Sequence, residues 1–395
     1  MFVLGLLFIL PIYAERVDVS TARKVAEAMM LKTNSGLRSA KGVVSLVYYA
    51  PSGQKGSSLR NAASAMKKID YFVFNVSGDK GFVIVSGDDR VRPILAYSNT
   101  GKFDPDNLPD NLKTWLAGYQ DQITWAENKQ IKATPNVISA WSQYLNGAPL
   151  KSEGKSVLLK TALWEQHEPY NRYTPKIDGE HAVTGCVATA MGIVMKYFGY
   201  PDRAVNPPAS NSYTLNDENE TITVQIDYSD GYDWDLMLTE YEEGSYTEEQ
   251  ANEVAKLLYH CGANLHMDYS LNGSSTPTKH IAYALSEVFG YSSSVRYLLK
   301  EAYRWEEWKE MIRKELDEGY PVILHGENPK ATESSHAFVC DGYQYDDLYH
   351  INWGWGGSSN GYYTLSLLNN TGSEYGGYNS EVGLVLNIRP MVDGQ

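Results

Sequence analysis

Apolar positions in the first hundred residues change from helical to strand spacing. Residues 19–30 begin with Val, Ser and Thr and continue with helix formers whose apolar side chains recur at helical spacing, which predicts a first helix. The runs VVSLVYY (43–49), YFVFNV (71–76) and GFVIV (81–85) are apolar or alternate, and Asp79 stands near a turn between the last two. These three runs predict an antiparallel meander.

A further helix and a linker follow the meander. Apolar residues with helical period predict a helix over residues 112–129. The stretch NGAPLKSEGKS at 146–156 has almost no large apolar residue, which is typical of an exposed linker. We therefore place a boundary between a small α+β unit at 15–150 and a larger unit at 151–395.

The larger unit changes from helical to strand patterns along its length. Helical periodicity predicts helices near residues 185–198, 247–261 and 303–318. From Tyr320 onward the pattern is rich in short strands. The larger unit therefore has helices first and short strands afterwards.

Composition and charge exclude several classes of protein. The 395 residues are 43% hydrophobic and 21% charged, as in a folded globular protein, and this composition excludes a multi-pass membrane protein. Lys and Arg number 34 against 48 Asp and Glu, a net charge of −14. Such a charge argues against nucleic acid or an anionic bilayer as a partner.

Residues 1–14 (MFVLGLLFILPIYA) predict a signal segment and therefore export. The run is apolar, contains Pro11 and ends in Ala14, before the charged residues Glu15 and Arg16. It is too short to span a bilayer, so we expect no integral membrane segment. It lacks the Lys or Arg that usually precedes a signal core, and a buried first strand is the alternative.

Cys186 stands at the start of a predicted helix. In TGCVATAMGIVMKYFGYP (184–201), Gly185 and Cys186 precede an apolar helical face. The positive end of the helix dipole and its unpaired N–H groups favour a thiolate, which predicts a nucleophile. A small apolar residue at a buried helix start is the alternative.

The two other cysteines, Cys261 and Cys340, indicate neither a disulfide framework nor a metal site. The chain contains no C-x-x-C pair. Cys261 lies near His260 and His266, but this group lacks a fourth ligand and any usual zinc spacing. We therefore predict no metal.

A thiol nucleophile needs a base, and His336 is the main candidate. It opens a predicted strand in SSHAFVCDGY (334–343), so its imidazole would lie at the mouth of a sheet. His181 competes, but so close to Cys186 in sequence it would need a hairpin approach to the helix start. Cys340 lies about 13 Å along the strand from His336, at roughly 3.3 Å per residue, and is assigned to the core.

The imidazole also needs a group that orients it. Asn352 follows in a later predicted strand, within HINWGWGG (350–357), and is the first candidate. Asp341 is a weaker candidate, because its odd separation from His336 turns it to the opposite face of the strand.

Gln166 is the candidate for oxyanion stabilisation. It lies in WEQHEPYN (164–171), and its amide would donate a hydrogen bond together with the backbone N–H of Cys186. A surface glutamine is the alternative.

These segments together resemble the streptopain and interpain family of bacterial cysteine peptidases. The segments that carry the resemblance are WEQHEPYN, HAVTGCVATAMGIVMKYFGYP, SSHAFVCDGYQ and YHINWGWGGSSNGYY. YDWDLM and LLYHCGANLHMDY are similar to its mid-domain, and the first unit, with YFVFNV, GFVIVSGDDRVRPILAYSNTG and LPDNLKTWLAGYQDQI, is similar to its inhibitory prodomain. The resemblance covers nearly the whole chain after Ala14.

The resemblance implies a papain-like α+β catalytic domain made as a zymogen, with a helical lobe and an antiparallel β lobe. Cys186 would attack the scissile carbonyl of a protein or peptide, and His336 would take and return the proton. Gln166 would hold the oxyanion. The prodomain at 15–150 would act as an intramolecular inhibitor, no metal or organic cofactor would be needed, and the enzyme would be secreted or associated with the cell envelope.

The orienting position departs from the usual papain-like pattern. Papain-like enzymes have N-S-W-G there, whereas this chain has Asn352-Trp353-Gly354, one residue fewer. The resemblance therefore leaves either Asn352 or Trp353 to steady and shield His336.

The resemblance also implies where substrate would bind. Gly354 and Trp355 in the Gly-rich turn, and Ser275 and Thr276 in an earlier loop, would border a groove for an extended peptide. An apolar side chain before the cleaved residue would be preferred.

Two other functions fit part of the pattern. A non-catalytic adhesin or peptide-binding module would suit the 30 tyrosines. A transglutaminase-like acyltransferase would use the same Cys–His pair on an amine. Retention of all four candidate catalytic side chains, Cys186, His336, Asn352 and Gln166, argues against a decayed enzyme.

Overall fold

A computed structural model describes most of the chain. The described residues are 15–33, 43–52, 68–146, 154–216, 221–327, 335–344, 347–368 and 380–391. The predicted signal segment at 1–14 and most of the predicted linker, at 147–153, lie outside them.

Seven α-helices lie within the described residues. They are α1 (Val19–Thr33), α2 (Asp110–Asn128), α3 (Pro135–Asn146), α4 (Cys186–Phe198), α5 (Glu248–Asn264), α6 (His280–Tyr283) and α7 (Trp305–Asp317). The helices predicted from periodicity correspond to α1, α2, α4, α5 and α7, whereas the pattern does not predict α3 or α6. Within the described ranges, no helix combines the length and apolar character needed to cross a membrane.

Strands occupy the N-terminal unit and most of the chain after α6. They are β1 (Val44–Pro51), β2 (Ile69–Val76), β3 (Phe82–Ser86), β4 (Ile94–Ser98), β5 (Val157–Leu158), β6 (Lys176–Ile177), β7 (Glu180–His181), β8 (Asn211–Leu215), β9 (Ile222–Val224), β10 (Asp268–Tyr269), β11 (Arg296–Leu299), β12 (Val322–Glu327), β13 (Ser335–Gln344), β14 (Leu348–Asn352), β15 (Gly361–Thr364) and β16 (Ser380–Leu386).

The N-terminal unit is an antiparallel meander with helices on both faces. Strands β1 to β4 pair in chain order, which confirms the predicted meander and adds β4 to it. Asp79 lies in the turn between β2 and β3 with a φ of 53°. Helices α1 and α3 pack on one face around Phe72 and Phe74, and α2 packs on the other around Tyr71 and Val73. All five residues of β4 are buried, so its sequence shows no alternation.

The larger unit consists of a helical lobe and a β lobe. Helix α4 packs against α5, while β11 to β16 form an antiparallel sheet. Gly199 ends α4 in the left-handed conformation, with φ 58° and ψ 42°. A capping box between Thr247 and Gln250 begins α5. The α+β class is therefore confirmed.

The two units share one sheet and one core. Tyr97 and Ala96 of β4 pair with Tyr362 and Tyr363 of β15. The result is an eleven-stranded sheet in the order β1-β2-β3-β4-β15-β14-β13-β12-β16-β11, with β5 beside β13. One hydrophobic cluster joins side chains of α2, α7 and the β lobe. The predicted boundary near residue 150 thus divides the chain without dividing this core.

Alternation along β13 separates the two faces of the β lobe. Ala337 and Val339 belong to the core around α4, whereas Phe338 and Cys340 belong to the core around α2 and α7. Cys340 is fully buried, in agreement with its assignment to the core. The face that carries Ala337 is the one that meets the start of α4.

Candidate active site

Cys186 is the first residue of α4, and the conformation of Gly185 determines how the chain enters the helix. Gly185 has a φ of +85°, a conformation that favours glycine. A Cβ at Gly185 would lie 2.9 Å from the carbonyl oxygen of Ser274. The loop that contains Ser274 therefore packs directly against the start of the helix, and a larger residue at 185 would displace it.

Burial decides the protonation of this thiol. Desolvation raises the pKa of Cys186, and hydrogen bonds from the backbone N–H groups of Ala337, Val187 and Cys186 itself offset only part of that effect. The sequence-based expectation that the helix start favours the thiolate is therefore corrected for this form of the chain. The helix N-terminus acts as expected, but the loss of water around the sulfur outweighs it.

The predicted base lies next to the residue that contacts the thiol. The backbone N–H of Ala337 donates to Cys186 Sγ at 3.4 Å, and His336 is the neighbouring residue in β13. His336 is half-buried and pairs with Gly326 of β12. The fold thus brings together two segments that are 150 residues apart in the sequence.

His181, the competing base, has a different place. Its Nδ1–H donates to the carbonyl oxygen of Thr174 at 2.7 Å. It belongs to the small β6–β7 hairpin, where Lys176 pairs with it. This arrangement indicates a role in holding the hairpin.

Gln166 is buried close to the segment that leads into α4. Its backbone carbonyl oxygen accepts a hydrogen bond from the backbone N–H of Thr184 at 3.2 Å. Two residues earlier, the carbonyl oxygen of Trp164 accepts from the N–H of Gly356 at 3.1 Å. Gln166 is therefore held between the cysteine helix and the Gly-rich turn, and it is not a surface glutamine.

The side chain of Asn352 is engaged by a segment other than that of His336. Its Nδ2 donates to Thr161 Oγ1 at 3.0 Å and to the carbonyl oxygen of Ala162 at 2.9 Å. Its Oδ1 accepts from the N–H of Gly354 at 3.2 Å. Both amide protons are therefore directed at residues 161 and 162.

Trp353 is fully buried and packs among aromatic rings. Its ring centroid lies 4.9 Å from that of Phe338 and 5.6 Å from that of Trp115 in the N-terminal unit. Its Nε1–H donates to the carbonyl oxygen of Ser359 at 3.1 Å. Trp353 thus contacts the strand of His336 at Phe338, two residues after the histidine. On its other side it contacts α2 through Trp115.

Asp341 also has partners away from His336. It is buried, and its carboxylate accepts hydrogen bonds from His350 Nδ1 and Thr161 Oγ1. The sequence pattern does not single out Thr161 or His350. His350 stands two residues before Asn352 in a strand, a spacing that places both on one face and is the signal that could have found it.

The residues predicted to bind substrate lie on two sides of the start of α4. Ser275 is exposed and pairs through its backbone with Asp268, and Thr276 Oγ1 donates to the carbonyl oxygen of Leu265 at 2.6 Å. Gly354, with a φ of +72°, lies against Thr189 of α4. The half-buried Trp355 has its ring centroid 6.5 Å from that of His167.

The histidines around Cys261 have partners other than a metal. Cys261 is buried and its Sγ lies 3.7 Å from Met195 Sδ. His260 Nδ1 hydrogen-bonds the Tyr232 hydroxyl at 2.9 Å, and burial lowers the pKa of His260 to about 4. Among the described residues, no group of three or more His, Cys, Asp or Glu side chains has an arrangement that could hold a metal ion.

The N-terminal unit contacts the candidate site through α2. Asn111 Nδ2 donates to the carbonyl oxygen of Trp353 at 3.1 Å. The Tyr119 hydroxyl donates to the carbonyl oxygen of Thr364 at 2.7 Å, at the end of β15. The N-terminal unit is thus fixed to the strands that carry the candidate residues.

Comparison with known families gives one match within the larger unit and one in the N-terminal part of the chain. Residues 164–363 match the Peptidase C10 family, and residues 14–123 match the Spi protease inhibitor family. The two matches correspond to the larger unit and to the N-terminal unit.

Individual relatives share about a third of their residues with this chain. Streptopain of Streptococcus pyogenes is 33% identical over 352 residues, which cover 84% of this chain and 83% of streptopain. The thiol protease/hemagglutinin PrtT of Porphyromonas gingivalis is 33% identical over 336 residues, which cover 81% of this chain. The chain spans only 37% of the length of PrtT.

Two solved structures share the fold. A prointerpain A fragment of Prevotella intermedia matches with a TM-score of 0.68 and 29% identity, covering 88% of this chain and 100% of the fragment. Active interpain A from the same organism matches with a TM-score of 0.53 and 35% identity, covering 59% of this chain and 95% of the enzyme. The papain-like fold and the zymogen arrangement predicted from the sequence are confirmed.

Proposed function

The chain belongs to the peptidase C10 family of cysteine proteases, and from this premise we propose that it is an exported endopeptidase zymogen whose chemistry depends on Cys186 and His336. The observation that carries the proposal is the 3.4 Å contact between Cys186 Sγ and the N–H of Ala337, the neighbour of His336. Thiol acyl transfer requires a base within reach of the nucleophile, and the strand that contacts this thiol carries the histidine.

The proposed reaction has two steps. His336 takes the proton of Cys186, and the sulfur forms a bond to the scissile carbonyl carbon. The oxygen then carries the negative charge, which the Gln166 amide and the backbone N–H of Cys186 stabilise. When the carbonyl re-forms, the C–N bond breaks and His336 returns its proton to the leaving amine. Water, activated by His336, next hydrolyses the thioester.

The N-terminal unit supplies the intramolecular inhibition. It belongs to a protease inhibitor family and is attached to the β lobe through β4 and α2. We place the activating cut within residues 146–156, because this stretch has the composition of an exposed linker. Cleavage there separates the covering unit from the catalytic unit in the chain.

Self-processing tests the proposal directly. Full-length wild-type protein, incubated alone under reducing conditions, should shorten within residues 146–156, and Cys186→Ala should stay full length. Cys261→Ala is the matched control, because Cys261 is a buried thiol of the helical lobe, and this variant should still shorten. Mass spectrometry of the products locates the cut. Shortening of Cys186→Ala at the wild-type rate would exclude this thiol as the nucleophile.

The processed product should also hydrolyse casein, and an epoxide thiol inhibitor should block that hydrolysis. A transglutaminase-like enzyme would instead incorporate an added amine, and an adhesin would leave casein intact. Both alternatives lack support from the family assignment, which is to cysteine proteases.

A further inference from the structure

A buried polar network joins the start of the catalytic unit to the β lobe. It consists of Thr161, Asp341, His350 and Asn352, and we refer to it as the Thr161 network. Thr161 Oγ1 donates to Asp341 and accepts from Asn352 Nδ2 at 3.0 Å. His350 Nδ1–H donates to the other oxygen of Asp341. The hydroxyl of Thr161 thus uses both its donor and its acceptor capacity.

Three members of the network are buried: the relative exposure is 9% for Thr161, 2% for Asp341 and 1% for Asn352. A buried carboxylate or amide that loses a hydrogen-bond partner is destabilised, so each partner fixes the position of the next. The network therefore holds its geometry more strictly than a set of exposed hydrogen bonds would.

The network fixes the chain segment from β5 to Gln166. In β5, Leu158 pairs with Gly342, and the N–H of Leu159 donates to the carbonyl oxygen of Asp341 at 2.7 Å. Asn352 then bonds both Thr161 and the carbonyl oxygen of the next residue. Further along, the backbone N–H of Gly356 donates to the carbonyl oxygen of Trp164, and that of Thr184 donates to the backbone carbonyl oxygen of Gln166. The segment is tied at nearly every second residue until it reaches Gln166.

We propose that Thr161 is a positioning residue for this protease, which sets the place of Gln166 by tying its segment to Asp341 and Asn352. The side-chain amide of Asn352 contributes by donating hydrogen bonds to Thr161 and to the carbonyl oxygen of Ala162. The inference rests on the proposed role of Gln166 as an oxyanion donor. A displaced donor loses part of its effect, because such groups stabilise the transition state only when they are aimed at the developing charge.

Thr161→Val tests the proposal, since it removes the hydroxyl and keeps the shape, and Thr161→Ser is the control that restores the hydroxyl. Each processed enzyme is assayed with a peptide substrate, with the matching peptide aldehyde and with the matching peptide alcohol. The thiol adds to the aldehyde: sulfur bonds to the carbonyl carbon and the thiol proton ends on the oxygen, where oxyanion donors stabilise it. The alcohol occupies the same groove without forming a bond.

For Thr161→Val we expect a fall of about tenfold in kcat and in affinity for the aldehyde, a fraction of the loss that follows removal of a whole oxyanion donor. KM and affinity for the alcohol should stay within about threefold, since groove contacts are unchanged. Thr161→Ser should recover most of the loss. Equal weakening of aldehyde and alcohol, or an aldehyde affinity within twofold of wild type, would overturn the proposal.

A double-variant cycle keeps the test independent of folding. If Thr161 acts through Gln166, Thr161→Ala should cost about tenfold in the wild-type background and almost nothing in the Gln166→Ala background. Equal costs in both backgrounds would contradict the proposal. Failure of the proposed function is distinguishable, because wild-type protein itself would then lack activity or Cys186→Ala would retain it.

Discussion

The protonation of Cys186 reflects a competition between its helix and its burial. The helix start and three backbone N–H groups favour the thiolate, but desolvation is the largest effect and raises the pKa of the thiol. At neutral pH the full-length chain should therefore carry a neutral, weakly nucleophilic thiol. Latency then has a contribution from the sulfur itself, in addition to the covering of the site.

Alkylation of the full-length protein by iodoacetamide across a pH series checks this. Because the pKa is raised, the rate at Cys186 should still climb steeply as pH rises through 8 and 9, since only the thiolate reacts. Peptide mass spectrometry separates Cys186 from the buried Cys261 and Cys340, whose pKa values burial also raises. A rate at Cys186 that is already maximal at pH 7 would show that the thiolate is stabilised in the zymogen.

At the scale of elements, α2 connects the N-terminal unit to Trp353 and to the strand that carries His336. Trp115 lies with its ring centroid 5.6 Å from those of both Phe338 and Trp353. Trp141 of α3 is similarly buried, but its cluster consists of N-terminal residues together with Leu348 of β14, and its Nε1–H donates to the carbonyl oxygen of Val91. Substitution of Trp115 therefore tests the contact with the protease, whereas substitution of Trp141 tests the stability of the N-terminal unit.

In a Cys186→Ala protein cut at a protease site placed in the linker, Trp115→Ala should release the N-terminal unit. Loss of a buried tryptophan costs about 3–5 kcal/mol, and here the lost contacts include those with Phe338, Trp353 and Tyr363 of the β lobe. Trp141→Ala is the control and should leave the two pieces together, at a lower melting temperature. Size-exclusion chromatography reports the complex. If the two pieces of the Trp115→Ala protein still co-elute, the main contact between the units does not involve α2.

Elements with a clear helical period or a continuous apolar run were predictable, whereas β4 was not. The apolar face of α4 and the alternation in β13 place Cys186 and His336 correctly in their elements. Strand β4 (ILAYS) is buried throughout like β3 (FVIVS), but it has fewer β-branched residues, so its sequence is a weaker signal for a strand. The partners of Asn352 were out of reach for another reason: they come from Thr161 and Ala162, about 190 residues away, and pairings over that distance leave no local pattern.

At the scale of the whole molecule, the pairing of β4 with β15 makes inhibitor and protease one cooperative structure. The shared sheet crosses the boundary between the two units, and the core around α2 and α7 contains side chains from both. When hydrophobic contacts are continuous in this way, one unit cannot unfold without exposing the core of the other.

Full-length Cys186→Ala should therefore unfold in a single calorimetric transition, with equal calorimetric and van't Hoff enthalpies, despite containing two families' domains. The processed catalytic unit is the comparison: it should melt at a lower temperature, because removal of the N-terminal unit exposes the edge of β15 and the face around Trp353. Two separated transitions in the full-length protein would mean that the shared sheet couples the units only weakly, and latency would then depend on the local contacts of α2 alone.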